Sequence, residues 1–255
     1  MFFCAPYEVS PSGIFSKGHL VLFLVTFVLV ALALYLSRGM GTLAVRRTLR
    51  AVTLFLWVME LAKILFVLLG TGSRNPNDFL PLYYCSITLY AGAFSSLARG
   101  SLRYAGDCFI ATAGLVGGAV FLIFPTSTLP YYPAFHFLSL HSFLLHGAMV
   151  YLGLLLLLRG VYRPVWRDVR YPALLISAVC ALALVFNTVF DRVTGQEIAN
   201  LMFISKDTPD TPLTLVYRLT GPLFTPFMWA VQAFCPFLLV CGVSALWRKK
   251  KNSQP

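Results

Sequence analysis

Three histidines, His136, His141 and His146, stand within eleven residues of one apolar run. Histidine is the side chain that exchanges a proton near neutral pH. A single buried histidine often only bridges two helices, but three in one apolar run call for a chemical role. A fourth, His19, opens the first apolar run. Cys85 lies near the start of another. A thiol in apolar surroundings is inert until a base takes its proton, and a neighbouring histidine turns it into a nucleophile. Glu60 sits in the middle of the second run with Lys63 three residues on. Such a spacing brings both charges to one helix face, and charges inside an apolar span face the interior of a bundle, paired or functional. Glu60 is then either half of a neutralised structural pair or the group that orients a histidine. Asn187 and Asp191 close the sixth run, and Asn200 and Lys206 follow in the next connection.

These residues leave three chemistries open. The first is nucleophilic catalysis at Cys85, activated by a histidine. The second is proton-coupled transport along Glu60, Lys63 and the histidines, although the inner half offers few partners, Asp107 being the main one. The third is metal-dependent intramembrane hydrolysis using His19 and two of the three clustered histidines. On an ideal helix five residues turn about 140° and ten about 280°. His136 and His146 are then about 80° apart around the axis but about 15 Å apart along it. No two of the three form the i, i+4 pair of a helical zinc site. The other cysteines, Cys4, Cys108, Cys180, Cys235 and Cys241, form no CxxC motif. No Gly-x-Ser-x-Gly, phosphate-binding loop or dinucleotide fingerprint occurs. These motifs call for no cofactor and show no helical zinc pair, so no cofactor or metal is expected, and the three chemistries stay open.

The elements that must position these groups are membrane helices. Apolar residues make up 58% of the 255 and charged residues 11%, against roughly a quarter charged in a soluble domain. Apolar runs cover residues 19–37, 51–69, 80–98, 105–124, 135–158, 171–190 and 223–247. A spanning helix needs about 20 residues, so the sequence predicts an all-α polytopic bundle of about seven spans. One integral membrane domain, 1–255, uses almost the whole chain. The net charge of +11 would suggest nucleic acid in a soluble protein. Here it resides in short loops, where it directs insertion, and no nucleic-acid partner is expected.

Counting Lys and Arg by side gives fourteen in the odd-to-even connections and the C-terminal tail, and five on the opposite side, including Arg74 and Lys206. The positive excess marks the cytoplasmic face. The N-terminus is therefore expected outside, the C-terminus inside, and the histidines at the outer end. The segment from Met1 to Pro6 lacks a basic stretch before an apolar run and does not read as a cleaved signal peptide. Cys85 is expected about five residues into the third helix, about 7.5 Å deep. Gly114, Gly117 and Gly118 offer a small face for close helix packing.

Several motifs in order resemble bacterial YwaF-like membrane proteins. Leu80-Pro81-Leu82-Tyr83-Tyr84-Cys85-Ser86-Ile87 resembles their LPLxxCxI segment. The stretch from His136 to Gly147 resembles their histidine-rich fifth helix, and Tyr162-Arg163-Pro164-Val165-Trp166 the following inner loop. Asn200-Leu201-Met202-Phe203-Ile204 resembles their N-Y-M-F-L outer loop. His19 and Glu60 also sit where that family has such residues. The group is similar, more distantly, to eukaryotic transmembrane protein 164, regarded as an acyltransferase that moves fatty acyl chains between glycerolipids with an intramembrane Cys and His. By position its cysteine falls on Cys85 and its histidine best on His146. Around the cysteine, Tyr84-Cys85-Ser86 replaces that relative's Pro-Cys-His.

The resemblance implies a cysteine-dependent transacylase with a membrane phospholipid as substrate. It implies a catalytic set of Cys85, His146, His141 and His136, supported by Glu60, His19, Asn187, Asp191 and Asn200. It also implies an integral protein of a bacterial plasma membrane with its site toward the outer leaflet.

Overall fold

The computed structural model describes residues 2–3, 10–71, 73, 75–209 and 211–252, with only the backbone of 250–252. Cys4, Arg74 and most of the N-terminal segment lie outside the described residues. Among the described residues every regular element is helical. The order is α1 (Lys17–Leu36), α2 (Thr42–Leu65, prolonged by a π-helical turn Phe66–Thr71), α3 (Pro76–Phe79) and α4 (Ile87–Leu97). Next comes α5 (Gly100–Phe109), which runs through a π-helical turn (Ile110–Gly114) into α6 (Leu115–Ile123). The chain ends with α7 (Phe137–Leu158), α8 (Arg170–Thr194), α9 (Pro212–Thr220) and α10 (Phe224–Asn252).

Six of these stretches are long and apolar enough to cross a membrane: Lys17–Leu36, Thr42–Thr71, Gly100–Ile123, Phe137–Leu158, Trp166–Thr194 and Pro212–Lys249. The seventh apolar run, at 80–98, forms only the shorter helix Ile87–Leu97. The cause is Pro81. A residue ahead of proline is pushed out of the α region, and Leu80 is extended (φ −75°, ψ 124°). The chain stays non-helical to Ser86, so Cys85 lies in the turn ahead of α4 rather than five residues inside it.

Local chemistry sets the other ends. Ser16 caps α1 by accepting from the His19 N–H, Asn75 and Thr211 cap helices that begin with proline, and His136 caps α7 with its own ring. α8 stops at Gly195, which takes the left-handed conformation (φ 66°) open to glycine.

α7 is the central helix. It packs on α6, α1 and α2, while α4 is held between α2 and α5. The small-residue face of α6 works at short range. A Cβ at Gly118 would come within 2.8 Å of the His146 carbonyl, and one at Gly117 within 2.6 Å of the Tyr84 ring. The described parts of the connections 75–86, 124–136 and 195–209 gather with the N-terminal stretch at one end. Ser12 and Gly13 donate to Tyr132 and Leu129 carbonyls there, and Asn77 joins Ile198 and Asn200. The other end carries most of the arginines and is locked by buried polar pairs. Arg46 donates to both Asp107 oxygens at 2.5 and 2.6 Å, and Tyr104 and Tyr162 donate to Asp168 at 2.6 and 3.0 Å.

Candidate active site

The four histidines all lie at or below the loop-rich end, and their partners separate them into distinct jobs. His19 is buried, and both its ring nitrogens meet backbone: Phe15 N–H at 3.1 Å and the Leu122 carbonyl at 2.9 Å. Nδ1 accepts and Nε2 donates, so His19 fastens α1 to the end of α6. His136 has no exposed surface. Its Nδ1 accepts the Leu138 N–H at 3.2 Å and its ring stacks on Tyr132, so it caps α7.

His141 and His146 are arranged differently. His141 turns toward α2, with Nε2 3.4 Å from Glu60 Oε2. Glu60 is 1% exposed. Lys63 Nζ lies 2.6 Å from its other oxygen, Oε1. That oxygen makes no aligned hydrogen bond, so the Lys63 contact is a charge pair rather than a directed bond. The expected spacing on one helix face holds, and Glu60 joins the two readings open at the sequence level: it is paired, and it meets a histidine.

His146 stacks flat on Phe121 of α6, ring centres 3.6 Å apart. Its Nδ1 is 2.6 Å from the Ser142 carbonyl. A carbonyl oxygen only accepts, so Nδ1 carries the hydrogen and Nε2 is left as the basic nitrogen of the neutral ring.

Cys85 is half-buried and packs on a cluster of Leu56, Leu89, Leu145 and Met149, which joins α2, α4 and α7. Leu145 is flanked in sequence by both histidines, His141 one turn before it and His146 next to it. The charged groups acting on the thiol are Lys63 and Glu60. The turn that carries it is pinned on both sides. Tyr84 Oη donates to the Ala113 carbonyl within the π-helical turn at 3.2 Å, and Tyr90 Oη to the Pro81 carbonyl at 3.1 Å. Among the described residues no hydrogen bond joins Cys85 to a histidine, and no three His, Cys, Asp or Glu side chains are grouped to hold a metal.

The chain's match with known families can now be set beside this geometry. The family model described as "TMEM164 family" matches residues 14–246. The chain belongs to the TMEM164 family. No curated protein and no solved structure matches it. The likeness to YwaF-like proteins rests on the motifs alone. The part of this TMEM164-family chain covered by the match includes every candidate residue named from the sequence.

The three remaining candidates build a loop. Asn187 holds Leu201 from both sides, donating to its carbonyl at 3.2 Å and accepting its N–H at 3.0 Å, and donates to Ser205 Oγ at 2.8 Å. Asn200 accepts the N–H groups of Ser205 and Lys206 and donates to the Lys206 carbonyl. Asp191 accepts the Ile198 and Ala199 N–H groups, both at 3.1 Å, and pairs with Lys206. With so much of their bonding capacity committed, these three side chains shape 195–206. The loop product that sequence reasoning missed is Phe203, whose ring lies 5.0 Å from that of Tyr83, two residues ahead of Cys85. The signal was the Asn200–Ile204 motif, whose role does not show without its fold. Phe121, the seat of His146, gave no signal: a phenylalanine in an apolar helix reads as packing.

Proposed function

We propose that this membrane protein moves a fatty acyl chain from a membrane phospholipid to an acceptor through a thioester on Cys85. One observation carries the reading: a half-buried thiol in a fixed turn, packed on Leu56 of α2 and on Leu145 and Met149 of α7, in the stretch of α7 that bears His141 and His146. Apolar surroundings keep a thiol unreactive, so a thiol there serves chemistry only with a base within reach.

His146 Nε2 takes the Cys85 proton as the substrate draws the two together; catalytic hydrogen bonds are commonly long before substrate binds. The thiolate attacks the ester carbonyl carbon. The carbon–oxygen bond to glycerol breaks, and the departing alkoxide takes the proton from the His146 imidazolium. This leaves a lysolipid and the acyl thioester. An acceptor hydroxyl or amine then attacks the thioester, passing its proton through His146 to the sulfur. Water as acceptor makes the same sequence a hydrolysis. Lys63 offers a positive charge to the thiolate, and Glu60 steadies a positive His141 beside it. The site faces the outer leaflet, where the arginine-poor end is expected.

The experiment is the intact mass of purified protein after incubation with native phospholipids, beside Cys85→Ser and His146→Ala. The expected result is an acyl-sized increase in the wild type that hydroxylamine removes, absent from Cys85→Ser and strongly reduced in His146→Ala. An adduct that survives in His146→Ala and disappears in His141→Ala moves the base to His141. Phospholipid turnover that survives Cys85→Ser refutes the thioester.

A further inference from the structure

A pocket of about 360 Å³ opens beside the end of α8, toward the lower end of the roughly 300–1,000 Å³ typical of small-molecule sites. Its wall carries Asp191, Arg192, Glu197, Ser205 and Lys206, with Leu184 on the side toward the middle of α8. Two of the charges cancel by contact, because Lys206 pairs with Asp191. Asp191 is also fixed by two backbone N–H groups, so Lys206 is held in place with ammonium hydrogens still to give. Arg192 and Glu197 stand exposed on the rim.

The pocket's formal charges therefore sum to zero, two positive and two negative, yet both signs remain available to a guest. A purely anionic guest meets Glu197, and a purely cationic one meets Arg192. A guest carrying both charges satisfies each. We propose that this pocket binds a zwitterionic head group, its phosphodiester on Lys206 and Arg192 and its ammonium on Glu197, with the glycerol directed toward Leu184. Position favours a lipid-borne guest, since the pocket lies at the end of an apolar spanning helix.

The same loop links pocket and thiol. Ser205 and Lys206 end the turn that places Phe203 against Tyr83, so an occupied pocket braces the segment bearing Cys85. This consequence for catalysis rests on the acyl-transfer reading; the binding does not.

The test is lipid retention by the full-length protein, as wild type and as Cys85→Ser, reconstituted in nanodiscs with equal phosphatidylethanolamine and phosphatidylglycerol. Bound lipid is read by native mass spectrometry. Preferential retention of phosphatidylethanolamine is expected in both proteins. Glu197→Lys should move the ratio toward phosphatidylglycerol by roughly fivefold, the scale of one exposed charge contact. Arg192→Glu should weaken retention of both lipids. Both residues are exposed, and unchanged thermal unfolding confirms that each variant is intact. Glycerophosphoethanolamine in excess separates the sources: displacement assigns recognition to the head group alone, and retention despite it assigns recognition to the whole lipid. A ratio of one, or a ratio that neither variant moves, overturns the proposal. Selectivity without a thioester leaves the pocket standing and sinks the mechanism; a thioester without selectivity does the reverse.

Discussion

Glu60 and Lys63 form a buried ion pair inside the bundle with His141 beside it, and its energetics set what substitution does. Removing one member of a buried pair strands the other, at a cost of about 3–5 kcal/mol. Glu60→Gln should therefore lower the unfolding free energy in detergent by about 3 kcal/mol, since Lys63 is only 17% exposed. The double variant Glu60→Gln, Lys63→Met should recover most of that loss, because no stranded charge remains. A double variant no more stable than the single one would mean that the pair is not coupled. At this scale the sequence was informative about identity and silent about role. His19, His136, His141 and His146 announce themselves by type in apolar runs. Their separation into bridge, cap, carboxylate neighbour and stacked ring depends on a carbonyl of α6, a tyrosine in a loop, a carboxylate of α2 and a ring of α6. Apart from Tyr132, four residues ahead of His136, none of these partners is near in sequence.

The element that matters most is the turn from Leu80 to Ser86. Hydropathy reads the whole run as helix, but proline geometry and two tyrosine hydrogen bonds make it a pinned turn. Its seat on α6 depends on Gly117, where a Cβ would sit 2.6 Å from Tyr84 Cε1. Gly117→Ala should push Tyr84 off the Ala113 carbonyl and destabilise the bundle by about 1–3 kcal/mol, the usual cost of overpacking. Alkylation of Cys85 by a lipophilic maleimide should change in rate along with it. Gly39→Ala is the control, because nothing lies within 4 Å of a Cβ there, and its stability should stay within about 0.5 kcal/mol of wild type. Equal effects of the two would show that Tyr84 does not depend on the gap at Gly117. The small-residue face was legible in the sequence as Gly114, Gly117 and Gly118; its target was not, because Tyr84 reaches it from a non-helical stretch. The loop 195–206 was hidden for a similar reason: Met202 and Phe203 take left-handed backbone (φ 62° and 53°), a conformation that propensity does not foresee for such residues.

At the scale of the molecule the count of crossings decides which way the site faces. Among the described residues six helices are long enough to span, and α4, with eleven residues, rises only about 16 Å. Six crossings put both termini on one side; a seventh puts them on opposite sides. Non-helical backbone at membrane depth is tolerated where protein satisfies it, and the turn ahead of α4 meets that condition through Tyr84 and Tyr90. We propose that turn and helix together make one crossing, a reading supported by α4 lying between α2 and α5. The arginines fit the same count. Arg46 and Arg50 reach Asp107 and the Ser96 carbonyl, and Arg159 donates to the Arg38 and Met40 carbonyls. They gather at the end opposite Cys85, and positive loops stay in the cytoplasm. A fluorescent protein fused after Pro255 should therefore be bright in intact cells. A protease added to the same cells should remove an epitope tag placed before Met1. Both tags on one side would remove α4 from the crossings. An accessible C-terminus with a protected N-terminus would turn the site inward, and the acyl donor would have to come from the inner leaflet.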